Sequence, residues 1–233
     1  MTFLPSKFFV VAHRGASAYE PENTLRAIAK AIDLGAPVVE VDVRRCRSGE
    51  LVIFHDEDLS RLFGINTKLS DLTLKELKNY KVGGIAEIPT LNDVLEFVRG
   101  RVKLFIEVKE RGIEGEVVSR VRDLGLLDDV AIISFYQEVL INVKNLEPKT
   151  HVGLIISHPY PNIHNLIKYG VEILLPRHNL VTGRLVKEVR SRGIKLISWV
   201  VNDVALAIKL RNLGVDGIAS DKPDIINEIN KIL

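Results

Sequence analysis

At 233 residues, 46% hydrophobic and 27% charged, the chain has the composition of an ordinary globular protein, long enough to bury a large core. Its 32 basic and 30 acidic residues leave a net charge of +2, which gives no field that would make nucleic acid its main partner. The one cysteine, Cys46, excludes an intrachain disulfide and fits a reducing, cytoplasmic compartment; no signal peptide is read at the start, and no stretch approaches the roughly 20 apolar residues that would span a bilayer.

Apolar, β-branched runs alternate with helical spacing along the chain. Phe8–Ala12 predicts a strand, and Asn23–Leu34 a helix that Asn23 or Thr24 can cap. Val38–Val43 predicts the second strand. After Gly49, Glu50–Phe54 reads as an extra strand returning as a hairpin. The segment from about residue 50 to 90 reads as an insertion over one rim, with a short helix near Thr73–Tyr80 and a Gly83-Gly84 pair. Leu91–Val98 follows the N-cap candidate Thr90. Strands are then predicted at Val102–Val108, Val130–Ser134, His151–Ile156, Glu172–Leu175, Lys195–Trp199 and Asp216–Ala219. Helices are predicted at Glu114–Leu124, Glu138–Leu146, Ile163–Tyr169, Arg184–Arg192, Val204–Leu213 and Pro223–Ile232.

Eight strand-helix units point to an α/β chain folded as a (β/α)8 TIM barrel. Residues 1–233 read as a single domain without a second hydrophobic core. A doubly wound sheet is the competing fold. No G-x-G-x-x-G follows the first strand, and charged residues end the first three strands alike, as expected of a barrel in which all eight strand ends share one rim.

Those strand ends hold the chemistry. Glu40 and Asp42 sit two apart in a strand, so both point to one face. Alone they fit rim salt bridges with Arg14, Arg44 or Arg45. With Glu107 on the next strand end and no cysteine nearby, they suit one hard divalent cation, Mg²⁺, Ca²⁺ or Mn²⁺. His13 and His55 are candidates for proton transfer. Arg14 and Lys109 can neutralise phosphate oxygens. Trp199, the only tryptophan, is a core residue or an apolar wall for the alcohol portion of the substrate. Asp221 is expected to cap the last helix, with Pro223 in its first turn.

Together, His13-Arg14-Gly15, Pro21-Glu22-Asn23-Thr24, Glu40-Val41-Asp42-Val43, His55-Asp56, Pro89-Thr90-Leu91, Glu107-Val108-Lys109, Ile133-Ser134-Phe135, Trp199-Val200-Val201-Asn202 and Val215-Asp216-Gly217-Ile218 with Asp221-Lys222-Pro223 resemble the glycerophosphodiester phosphodiesterase family. The resemblance covers nearly the whole chain, in the family's order. It implies a TIM-barrel hydrolase releasing sn-glycerol 3-phosphate and an alcohol. By position it implies Glu40, Asp42 and Glu107 as cation ligands and His13 and His55 as the acid/base pair. Arg14 and Lys109 would contact phosphate, Glu22 would help hold the constellation, and Trp199 would line the substrate pocket. One departure bears on the site: the family often has Asn two residues before the third carboxylate, where this chain has Phe105. A polar partner of the metal cluster is therefore expected to be missing. The competing expectations are a lysophospholipase D-like or phospholipase C-like diesterase, and a barrel that binds a phosphorylated ligand without turnover. An exposed apolar lip on the Leu59–Ile88 insertion would favour the lipid-directed enzymes, but its Leu62, Phe63, Ile65 and Leu69 are interrupted by polar residues, so no membrane-docking face is expected.

Overall fold

The computed structural model describes residues 3–159 and 164–232. Its strands in chain order are β1 Phe9–Ala12, β2 Val38–Arg45, β3 Leu51–Ile53, β4 Lys81–Val82, β5 Ala86–Glu87, β6 Lys103–Val108, β7 Val130–Ser134, β8 His151–Ile156, β9 Ile173–Pro176, β10 Lys195–Ser198 and β11 Gly217–Ser220. The helices are α1 Leu25–Asp33, α2 Ser60–Phe63, α3 Leu74–Leu77, α4 Leu91–Val98, α5 Glu114–Asp123, α6 Gln137–Leu146, α7 His164–Lys168, α8 Gly183–Arg190, α9 Val204–Leu213 and α10 Ile225–Ile232.

The parallel pairings run β1-β2-β6-β7-β8-β9-β10-β11 and return to β1, closing the barrel. All eight predicted strands are present. Residue 163, where the sequence pattern starts the sixth of the predicted helices, lies outside the described residues; α7 begins at His164.

Side-chain alternation divides the core into two layers. Phe9, Val11, Val38, Phe105, Ile133, Leu175 and Ile197 fill the barrel. Val10, Val39, Val41, Val43, Leu104, Ile106 and Val108 face the helices. The same parity sends Glu40, Asp42 and Glu107 inward, above that packed interior. Thr24, not Asn23, caps α1, accepting from the Ala27 amide. Thr90 and Asp93 form a capping box on α4, as do Thr73 and Glu76 on α3.

Two expectations are corrected. The insertion does have its own small core: Cys46, Val52, Phe54, Leu59, Leu69, Leu77, Val82 and Ile88 are buried together. Leu62, Phe63 and Ile65 pack against that cluster, so these three form no exposed lip, while Ile85 of the same segment stays exposed. The last helix starts at Ile225, after a turn in which the Ile225 amide bonds the Lys222 carbonyl. Asp221 is therefore outside the helix and does not cap it. Among the described residues, no helix is long and apolar enough to cross a membrane.

Candidate active site

The site is assembled where β1, β2 and β6 end. β1 stops at Ala12, and His13 follows with its amide bonded to the Ser220 carbonyl. The chain then turns through two left-handed residues, Arg14 at φ 55° and Gly15 at φ 79°. A Cβ at Gly15 would lie 2.6 Å from the Ala27 carbonyl carbon, so only glycine lets the loop rest on α1. This turn aims the Arg14 amide at Glu40 Oε2, 2.9 Å away.

β2 runs past the end of β1; the Asp42 carbonyl accepts from the Phe54 amide at 2.9 Å, but β1 offers no acceptor for the Asp42 amide. Asn23, at φ 58° and buried, takes the vacated place. Its Oδ1 accepts from the Asp42 amide at 3.1 Å, and its Nδ2 donates to Asp42 Oδ2 at 2.8 Å. Glu40, Asp42 and Glu107 are all buried, and one carboxylate oxygen of each lies within 4.8 Å of the others. Burial, and then repulsion from Asp42, push the Glu40 and Glu107 carboxyls upward. Asp42 is held down at about 2: burial opposes ionisation, but Lys109, Arg14 and His55 outweigh it.

These three carboxylates could hold a metal ion. Glu40 Oε1 is buried with no hydrogen-bond partner, an orphaned acceptor that a cation would satisfy. The all-oxygen donor set matches hard divalent ions. Phe105 lies directly beneath, packed in the barrel interior, so no polar group reaches the cluster from that position.

Of the cations considered from sequence, Arg14 and Lys109 reach the carboxylates, whereas Arg44 and Arg45 pair with Glu110 and Glu116 instead. Lys109 Nζ is 2.7 Å from Glu107 and 3.5 Å from Asp42. Arg14 Nε is 3.3 Å from Asp42, and its NH1 donates to Glu22 at 3.0 Å.

Both histidines use Nδ1 on a carboxylate at 2.7 Å: His13 on Asp221 and His55 on Asp56. This leaves Nε2 of each ring for chemistry. Burial is the largest influence on His55 and favours its neutral form. Asp221 also accepts from Ser17 at 3.0 Å and Asn202 at 2.6 Å. Burial works against its ionisation, but the bonds from His13 and Asn202 hold it at about 2.

His13, Arg14, Glu40, His55, Glu107 and Lys109 line one side of a cavity of about 280 Å³; Ile133, Phe135, Ile155, Leu175 and Trp199 line the other. Trp199 is held by its Nε1 bond to the Leu175 carbonyl, 2.8 Å, and meets Phe135 edge-on at 5.7 Å. Glu22 does not line this cavity. It lies behind Arg14 and takes a two-pronged contact from Arg61, at 2.6 and 3.0 Å. Arg61 also bonds Asp56 at 2.7 Å, tying the insertion to both Arg14 and His55.

Sequence reasoning brought together every cavity-lining charged residue but missed the support of Asn23, Arg61 and Asp221. The clearest available signal was Asn23 beside the site glutamate, in a turn where a left-handed residue is tolerated by Asn.

The glycerophosphoryl diester phosphodiesterase family pattern matches residues 13–225. The chain belongs to that family. A glycerophosphodiester phosphodiesterase of Caldanaerobacter subterraneus subsp. tengcongensis is 31% identical, the alignment covering 97% of this chain and 99% of the relative. Among solved structures, an Oleispira antarctica phosphodiesterase in complex with the product sn-glycerol-3-phosphate superposes with a TM-score of 0.88 at 29% identity, covering 98% of each chain. A Thermotoga maritima glycerophosphodiester phosphodiesterase gives 0.84 at 31% identity, covering 97% of this chain and 100% of that one.

Proposed function

We propose that this phosphodiesterase hydrolyses glycerophosphodiesters to sn-glycerol 3-phosphate and an alcohol. The observation that carries the reading is the juxtaposition of two carboxylate-bonded histidines and two cations with a buried triad of carboxylates in one cavity. The product bound to the Oleispira neighbour supports the same product here. Glu40, Asp42 and Glu107 are the proposed ligands of one divalent cation, Mg²⁺, Ca²⁺ or Mn²⁺. When bound, that ion supplies Lewis-acid stabilisation of charge on a phosphoryl oxygen.

Arg14 and Lys109 orient the phosphate and stabilise its nonbridging oxygens, Arg14 through its fork and Lys109 as a compact charge. His55, kept toward the neutral form by burial, accepts the proton of the attacking hydroxyl at Nε2. His13 gives a proton from Nε2 to the departing alcohol oxygen, while Asp221 fixes its ring through Nδ1. The attacking hydroxyl is water, which gives glycerol 3-phosphate directly, or the adjacent glycerol hydroxyl, which gives a cyclic phosphate that water then opens; trapping of the cyclic phosphate would identify the latter. The apolar wall of Phe135 and Trp199 shelters the carbon part of the substrate from water. The inward packing of Leu62, Phe63 and Ile65 favours this reading over a lipid-directed enzyme.

The test is release of glycerol 3-phosphate from glycerophosphocholine and glycerophosphoethanolamine with Mg²⁺, Ca²⁺, Mn²⁺ or EDTA, beside His13→Ala. Cation-dependent release that His13→Ala loses is expected. Binding of the diester without turnover under every condition would refute the proposal.

A further inference from the structure

A second groove, of about 320 Å³, adjoins the catalytic cavity and shares Lys109 with it. It lies beyond the carboxylates along β2, because Arg44 has the strand parity of Glu40 and Asp42. The Arg44 side chain is only 14% exposed. Its Nε donates to the His55 carbonyl at 2.9 Å, the one hydrogen bond it makes among the described residues. The nearest carboxylate contact is Glu110, 3.9 Å from NH1, and Glu110 is itself held through Oε1 by the Arg45 amide.

The other charges of the groove are already engaged. Arg45 pairs with Glu116 at 2.9 Å, Arg111 bonds Glu138 while lying over Tyr136, and Glu57 pairs with Lys68 at 2.8 Å. Arg44 is thus a largely buried guanidinium, anchored at Nε, that lines the groove and has the long contact to Glu110 as its one ion pair among the described residues. Such a preorganised fork suits a carboxylate or phosphate.

We propose that this groove is a subsite for an anionic group on the alcohol arm of the substrate, with Arg44 as its recognition residue. The inference rests on the phosphodiesterase reading above and names its substrate class. A phosphodiester held by Arg14 and Lys109 has two arms. The apolar-walled cavity takes one. The other crosses Lys109 into the Arg44 groove, where a carboxylate or second phosphate gains a bidentate contact and a neutral or cationic headgroup gains none.

Glycerophosphoserine and glycerophosphoethanolamine differ by a single carboxylate, which makes them a matched pair. The expected kcat/KM ratio, serine over ethanolamine, is about tenfold in the wild-type protein, the size of one charge-assisted bidentate contact. Arg44→Gln is expected to bring the ratio to about one, the value with that contact removed. The ratio cancels any general loss passed through the His55 carbonyl. Ser70→Glu, at an exposed position lining the same groove, places a repelling carboxylate there without touching Arg44 and is expected to lower the ratio as well. Glycerophosphoinositol 4-phosphate against glycerophosphoinositol extends the comparison to a phosphate. A wild-type ratio near one, or a ratio that neither variant changes, overturns the subsite. Hydrolysis of no diester by the wild-type protein overturns the phosphodiesterase reading and the subsite with it.

Discussion

Asn23→Ala isolates the device that holds Asp42 in place. The side chain makes two bonds to one residue, a donor to the Asp42 carboxylate at 2.8 Å and an acceptor for the Asp42 amide at 3.1 Å. Asp42 is 1% exposed, so water does not replace either partner. The lost bond to a charged group is worth about 1.5–3 kcal/mol, and the buried amide left without an acceptor about 1–3 kcal/mol. Alanine at a left-handed φ adds about 1 kcal/mol. These contributions share one residue and do not simply add, so the expected loss of stability is about 3–5 kcal/mol. Urea unfolding followed by circular dichroism measures it. Asn23→Gly, which tolerates the φ of 58°, is expected to recover about 1 kcal/mol of that loss and no more. Repeating the titrations with Mn²⁺ adds a second readout: the cation is expected to raise the midpoint of the wild-type protein more than that of either variant. A loss below about 1 kcal/mol for Asn23→Ala would mean that Asn23 does not support Asp42 and would refute the reasoning.

Three further outcomes are expected. Glu107→Gln removes one proposed cation ligand while keeping its volume, and should abolish both diester hydrolysis and the Mn²⁺ shift of the unfolding midpoint; a fully active, cation-responsive variant would contradict the ligand assignment. Asp221 is depressed in the folded chain to about 2 from an ordinary 3.8, so the stability it contributes is present above pH 3.8 and is lost as pH falls toward 2. That contribution is about 2 kcal/mol, and acid titrations of Asp221→Asn should show a correspondingly flatter loss of stability across this window. Gly15→Ala drives a methyl group into the α1 backbone at a positive φ and should destabilise the protein by about 3 kcal/mol, measured as a fall in Tm.

The alternation of β-branched runs and helical spacing was enough to read the barrel, because each strand-helix unit is a local pattern repeated along the chain. The placement of Glu40, Asp42 and Glu107 was legible for a similar reason. Strand parity fixes the face of a side chain, and the ends of parallel strands share one rim. The capping residue of the last helix was misread because the motif Asp-x-Pro fits an N-cap equally well; the turn after β11 moved the helix start to Ile225. The small core of the insertion, against which Leu62, Phe63 and Ile65 pack, also escaped the sequence, since their spacing shows no period that would set a face.

The sequence by itself therefore determined the repeated units, the inward parity of the three carboxylates and the basic and imidazole groups gathered at the strand ends. Tertiary structure decided what holds those groups. Closure of the barrel pairs β1 with β11 and brings Asp221 to His13 across 208 residues. The folded insertion carries Arg61 to Glu22, 39 residues away, and to Asp56. Contacts of that kind depend on ring closure and loop packing, which are collective results of the whole chain and leave no local periodicity to read.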